Sequence, residues 1–155
     1  MQGYYKNPSA TDAVMDLSGY FYTGDMGYLD KENFLYLTGR KKNIIVTSGG
    51  KNVFPEEIED RFQLYPEIEQ ILVRGFYMDG KKKEATGEMI EALIYPSEDM
   101  RNTGDPDGIQ KKLEDIVNTV NRQLASYMKI ARVRVVDQPF EESSTKKIKR
   151  YKVNA

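Results

Sequence analysis

Apolar residues recur along the second half of the chain with two distinct periods, and the periods assign the elements. Ile109, Leu113, Ile116, Val117, Val120 and Leu124 stand at offsets of four, seven, eight, eleven and fifteen from the first, which is one face of a helix. Core packing is their expected role. Val133, Val135 and Val136 are interleaved with Arg132 and Arg134, the alternation of a half-buried strand. Ile71–Val73 and Met89–Ile94 read as two further strands, joined through the charged stretch 79–84, which reads as a solvated hairpin tip and not as a phosphate site. Upstream, a helix is expected from Pro55, carrying Ile58, Phe62 and Leu64 and stopping before Pro66. Arg101–Gly108 is a loop by its turn residues. Two helices covering one face of a three-stranded sheet give a compact α+β unit from about residue 41 to the end.

The first forty residues are patterned differently. Phe21-Tyr22, Gly27–Leu29 and Phe34–Leu37 read as strands, with Asp30–Asn33 as the turn of a hairpin. Residues 1–20 show no sustained period beyond a short helical turn at Ser9–Ala13, which Ser9 or Thr11 would cap. With so little to bury, this stretch is expected to rest on a surface that other protein supplies.

Composition narrows the chemistry. The 155 residues contain neither Cys nor His, which removes disulfides, thiolate nucleophiles, most zinc sites and every His-based triad. Lys, Arg, Asp, Glu, Tyr, Ser and backbone N–H groups remain. With 23 basic against 24 acidic residues and a net charge of −1, no global field draws in nucleic acid or anionic membrane. The 11 Tyr and 6 Phe read mostly as core positions, unlike the stacking platform of an RNA-binding module. No apolar run approaches the roughly 18 residues that span a bilayer, and no signal-peptide pattern opens the chain, so the expected location is cytoplasmic, with peripheral membrane association left open.

The densest signal lies in residues 39–59. A cationic cluster, Arg40, Lys41 and Lys42, is followed by the buried-looking run Ile44-Ile45-Val46, the turn Ser48-Gly49-Gly50, and a helix opening at Pro55. Paired glycines permit positive φ and let backbone or ligand approach closely. Pro55 suits the first helical position, and Glu56 and Glu57 complement the helix dipole. On these grounds the segment is a strand, a glycine turn and a helix, which is equally the description of an ordinary structural hairpin. Asp25, on the tight turn Thr23-Gly24-Asp25, could accept hydrogen bonds from two vicinal hydroxyls of a ribose or could stabilise its own turn. Lys147, in the basic stretch Thr145–Arg150, could neutralise charge on a phosphoryl or carboxylate oxygen, or the stretch could be a solvated tail.

Four ordered stretches resemble the adenylate-forming enzymes, the family of acyl-CoA synthetases, luciferases and peptide-synthetase adenylation domains. They are Gly3–Thr11, Tyr22–Asp30, Gly39–Glu59 and Ser144–Arg150. The resemblance implies that residues 1–40 are the end of a large amino-terminal domain and that 41–155 are its carboxy-terminal lid. It implies that Asp25 binds ribose, that Arg40 contacts the nucleotide and that Lys42 is the hinge. Gly49 and Gly50 would present bare backbone to a pantetheine arm. Ile148 and Arg150 fix the register of the family pattern Gly-Lys-Ile-x-Arg, so that Lys147 falls on the catalytic lysine. Lys146 stands where the family has glycine, which predicts a stiffer loop and leaves open whether Lys146 shares the role.

The implied reaction is a two-step ligation. A carboxylate attacks the α-phosphate of Mg-ATP, giving acyl-adenylate and pyrophosphate, and after lid rotation coenzyme A takes the acyl group and AMP leaves. Long-chain fatty acyl-CoA synthetases are the subgroup most resembled. A carrier-protein acceptor is the alternative within the family, and a free-standing module contacting RNA or an acidic partner is the alternative outside it. The family's phosphate-binding loop and acyl pocket lie upstream of Gly3, so the chain is expected to be a carboxy-terminal fragment. Its partner is then the amino-terminal domain, which would hold the triphosphate and Mg2+; no metal site is expected here, and the fragment alone is expected to turn nothing over.

Overall fold

The computed structural model of the protein describes residues 1–78 and 87–153; the charged stretch 79–84 lies outside them. The chain divides into two compact units, Met1–Lys42 and Asn43–Ala155.

In the first unit, α1 (Pro8–Asp12) is capped by Asn7, whose Oδ1 accepts from the Ala10 N–H at 3.0 Å. Ser9 and Thr11 do not cap it. The Thr11 hydroxyl donates to the Asn7 carbonyl and accepts from the Tyr4 N–H, tying the preceding loop to the helix. Two strands follow, β1 (Asp25–Leu29) and β2 (Leu35–Arg40), paired antiparallel. Their turn is closed by the Asp30 carboxylate, which accepts from the Glu32 and Phe34 N–H groups at 2.9 Å; the Phe34 bond holds Asp30 below the usual carboxylate range. Phe21 forms only an isolated bridge to Met15, so no strand forms at 21–22. None of these 42 residues is buried. All eight of their aromatics are exposed, contrary to the core-like positions the sequence suggested, because a two-stranded hairpin has no second layer to bury them.

The second unit opens on a small antiparallel pair, β3 (Ile45–Val46) and β4 (Asn52–Val53), and then α2 (Pro55–Glu59), which tightens into a 3-10 turn at Asp60–Phe62. The main sheet follows as β5 (Ile68–Phe76) and β6 (Met89–Pro96). After them come α3 (Glu98–Arg101), α4 (Pro106–Asn121), β7 (Ile130–Val135) and α5 (Arg150–Val153). The strand order is β5-β6-β7, with β5 antiparallel to β6 and β6 parallel to β7. A parallel neighbour demands a crossover, and α3 and α4 supply it.

The architecture is the α+β one expected, two helices against a three-stranded sheet. Leu113, Ile116, Val117 and Val120 of α4, with Leu124 just beyond it, join Ile58 and Phe62 over Val73, Ile90, Ala92, Ile94 and Ile130. Asp105 caps α4 through the Gly108 N–H at 3.0 Å, and the Asn121 side chain bonds both N–H and carbonyl of Ile130, joining the helix end to β7. Leu64 does not belong to this core and is 91% exposed. Three residues per turn in the 3-10 segment advance the phase faster than an α-helix would, so the apolar stripe ends at Phe62.

Glu91 is wholly buried on β6 between its register partners Arg74 and Arg132. Arg74 Nε reaches Oε1 at 2.7 Å and Arg132 Nε reaches Oε2 at 2.8 Å. The buried carboxylate is thus paired on both oxygens, which is what a charge at that depth requires.

Candidate functional site

Within the first unit, the register of β1 and β2 sets Asp25 opposite Arg40. Arg40 Nε lies 2.8 Å from Asp25 Oδ1, and its Nη1 donates to the Thr23 carbonyl at 2.8 Å. The Asp25 carboxylate takes no backbone N–H of its own turn; that service belongs to Asp30 one turn later. Both side chains of the pair are solvent-accessible, and Asp25 Oδ2 has no partner among the described residues. The pair therefore offers an acceptor oxygen and a planar cation side by side, the two groups that a diol and an adjacent anionic group call for.

Lys42, exposed and in the 3-10 turn Lys41–Asn43, is the last residue of the first unit. The Lys41 N–H is held by the Gly24 carbonyl, whereas Asn43 belongs to the second unit and donates from Nδ2 to Glu56 Oε1 at 2.7 Å. Lys41, through its backbone, and Asn43, through its side chain, are thus each held by a contact within their own unit.

The turn at 47–51 joins β3 to β4. The Gly50 N–H donates to the Thr47 carbonyl at 2.8 Å and the Thr47 N–H to the Lys51 carbonyl at 3.0 Å. Gly50 has φ +68°, in the region that glycine enters freely. A Cβ on Gly49 or Gly50 would meet nothing within 4 Å, so the outer side of the turn is open backbone. Its inner side is not open. A Cβ on Gly87 would lie 2.0 Å from the Ser48 nitrogen, so the turn rests directly on the backbone of residue 87. Glu88 completes the support: its N–H donates to the Val46 carbonyl at 2.8 Å and its Oε2 accepts from the Val46 N–H at 2.9 Å. Nothing in the sequence around residue 87 signals this buttress.

Residues 142–148, which carry Lys147, close into a small hairpin. Glu142 and Ile148 form an antiparallel bridge, and the Ser143 N–H donates to the Lys147 carbonyl at 2.8 Å. The Lys147 N–H returns a bond to the Ser143 hydroxyl at 3.2 Å. Lys146 takes φ +57°, so the residue standing in the place of a glycine adopts a backbone conformation that glycine would favour.

The charges around this hairpin are sorted. Glu141 receives both Lys149 and Lys152, whose hydrogen bonds push its carboxyl down to about 2. Arg150 is paired with Glu59. Lys146 and Lys147 are exposed and make no ion pair among the described residues, so the unneutralised charge is concentrated at the hairpin tip. Among the described residues there is no group of three or more acidic side chains able to hold a metal ion.

A glycine turn on one loop and, on another, a lysine with no ion pair among the described residues are carried by one small α+β domain that follows a two-stranded hairpin in the chain. Residues 42–155 match the AMP-binding enzyme C-terminal domain, and the chain belongs to that family. It is 51% identical over 74 residues to the long-chain-fatty-acid–CoA ligase FadD15 of Mycobacterium tuberculosis, covering 47% of this chain and 12% of that protein. To the chloroplastic long-chain-fatty-acid–[acyl-carrier-protein] ligase AEE15 of Arabidopsis thaliana it is 34% identical over 152 residues, covering 90% of this chain and 20% of that one. Among solved structures, the adenylation domain of a carboxylate reductase from Mycobacterium chelonae superposes with TM-score 0.80 at 25% identity, over 98% of this chain and 24% of that chain. The chain spans a quarter or less of the length of each of these proteins.

Proposed function

We propose that this chain is the carboxy-terminal portion of an ATP-dependent, AMP-forming ligase that activates a long-chain fatty acid as its acyl-adenylate and passes the acyl group to coenzyme A. The observation that carries the reading is the sorting of charge on the 142–153 segment: every other cation there has a carboxylate, and Lys146 and Lys147 at the tip have none among the described residues. An unpaired ammonium on an exposed turn is free to meet the negative charge that develops when a carboxylate attacks the α-phosphate. In the register of the family pattern Lys147 takes that role, and Lys146, with its left-handed backbone, shapes the turn.

The other residues take the remaining roles. Asp25, through its free Oδ2, accepts from the ribose hydroxyls, while Arg40 holds Asp25 in place and faces the phosphate side. The border between the two units after Lys42 supports this residue as the hinge about which residues 43–155 turn between half-reactions. The bare outer backbone at Gly49 and Gly50 then lines the path of the pantetheine arm. The exposed apolar residues of the β1–β2 hairpin, Leu29, Phe34, Leu35 and Leu37 among them, provide the surface on which an amino-terminal domain packs. In this reading that domain holds the triphosphate and its Mg2+. No helix among the described residues is long and apolar enough to cross a membrane.

One observation favours a second acceptor. The match with AEE15 runs over 90% of this chain, and that relative's name gives acyl carrier protein in place of coenzyme A. Both acceptors present a pantetheine thiol, which the same glycine turn would admit. The test is to put this chain in place of the matching carboxy-terminal part of FadD15. Fatty-acid-dependent ATP–pyrophosphate exchange and thioester formation are then measured with coenzyme A and with acyl carrier protein. Both steps are expected with coenzyme A, and neither from the 155-residue chain by itself. Absence of exchange with every fatty acid offered would overturn the reading.

A further inference from the structure

The Lys147 hairpin is attached at both ends to the main sheet. β5 is an outer strand of the sheet, and its free edge between residues 70 and 73 carries both feet of the hairpin. At one foot the Gln70 side chain accepts from the Phe140 N–H at 2.7 Å and donates to Glu142 Oε1 at 2.5 Å. At the other, both backbone groups of Val73 are taken by side chains: Glu59 Oε1 accepts from the Val73 N–H at 2.6 Å, and Arg150 Nη1 donates to the Val73 carbonyl at 2.9 Å. Glu59 and Arg150 then pair with each other. The four groups form a closed set in which each charged side chain satisfies one backbone group of the edge and the other's charge.

The set reaches further than the hairpin. Glu59 is the last residue of α2, the helix that the glycine turn leads into. Glu56, one turn earlier, lies 3.9 Å from Arg150 Nε and accepts from Asn43, the first residue beyond Lys42. Arg150 thus sits between two carboxylates of α2 while fixing the segment that begins three residues after Lys147. Both carboxylates and Arg150 are largely shielded from solvent, so the pairing is screened less than a surface pair. Within the hairpin, by contrast, the closing bonds are local and exposed.

We propose that Glu59 and Arg150 are a positioning pair: they hold the Lys147 hairpin on the free edge of β5, and this attachment, more than the hairpin's own turn, sets where Lys147 stands during adenylate formation. The inference rests on the role proposed for Lys147, but its structural half can be tested without it. Displacement of a charge by about 1 Å at a reacting centre is enough to cost on the order of a hundredfold in rate. The pair should therefore matter in the half-reaction that uses Lys147 and be silent in the one that does not.

Two readouts are needed. In the 155-residue chain, amide hydrogen exchange is followed in Glu59→Gln, Arg150→Lys and Arg150→Ala. The expected result is exchange about tenfold faster at Ser143, Lys146 and Lys147 in Arg150→Ala, and a smaller change in the two conservative variants, with Ile90–Ile94 of β6 as protected as before. In the FadD15 fusion, Arg150→Ala should lower pyrophosphate exchange by tenfold or more and leave thioester formation from supplied acyl-adenylate within about twofold. Unchanged exchange at 143–147 would overturn the proposal, as would an equal fall in both half-reactions. If instead Lys147→Ala retained full pyrophosphate exchange, the proposed role of Lys147 would fail while the exchange result still reported on the clamp.

Discussion

Gly87→Ala isolates the support of the glycine turn from the turn itself. The added Cβ would come within 2.0 Å of the Ser48 nitrogen and 2.1 Å of the Thr47 carbonyl carbon, and both are backbone atoms that cannot rotate away. An ordinary contact needs more than 3 Å, so one of the two segments must move by roughly 1 Å or more. Overpacking of this kind costs about 1–3 kcal/mol. The movement also strains the paired bonds between Glu88 and Val46, at 2.8 and 2.9 Å, each contributing about 1 kcal/mol. A loss of about 2–4 kcal/mol follows, which in a domain of this size lowers Tm by roughly 10 °C. Thermal unfolding of the 155-residue chain, followed by circular dichroism, measures it, with Gly49→Ala as the matched control because its Cβ meets nothing within 4 Å. A Gly87→Ala protein melting within about 2 °C of the parent would refute the buttress argument.

Other expectations follow from the same contacts. Gly49→Ala should leave Tm within about 2 °C of the parent, whereas Gly50→Ala, forced to φ +68°, should lose about 1 kcal/mol; comparison of the two melting curves checks this. Leu113→Ala, at a fully buried position, should cost about 2–5 kcal/mol in urea unfolding, and Leu64→Ala, at 91% exposure, under about 0.5. Glu141 has its folded-state carboxyl pushed down to about 2 by Lys149 and Lys152. Its contribution is therefore present above the ordinary carboxylate range and disappears as pH falls towards 2. Acid titration should show a shallower loss of stability between pH 4.5 and 2 in Glu141→Gln than in the parent, and parallel curves would contradict the assignment.

The sheet and α4 were legible because burial on one side imposes a period, and Leu113, Ile116, Val117 and Val120 obey it without exception. Leu64 misled because it continues the apolar stripe in sequence while the 3-10 turn at Asp60–Phe62 breaks the phase in space. The aromatics of the first unit misled for a different reason: hydrophobicity states what a residue would bury, not whether this chain supplies the surface. Among candidate site residues, Asp25 and Arg40 were individually visible, and their pairing follows from the register of one hairpin. The contacts that steady the glycine turn and the Lys147 hairpin were not legible. Glu59 meets Arg150 across 91 positions of chain, and Gly87 meets Ser48 across a fold that no local pattern encodes. Likewise the sequence displays a run of cations from Lys146 to Lys152, and only the fold reveals which of them are already neutralised.

The role assigned to the hairpin tip is tested most directly by single-turnover adenylate formation in the FadD15 fusion, comparing Lys147→Ala with Lys146→Ala. The charge-sorting account and the family register together predict a fall of about 10²–10³ for Lys147→Ala, the scale of losing one preorganised charge-stabilising group. Lys146→Ala should stay within a few-fold of the parent, and both variants should retain thioester formation from supplied acyl-adenylate. Full adenylation by Lys147→Ala, or an equal loss in Lys146→Ala, would contradict it.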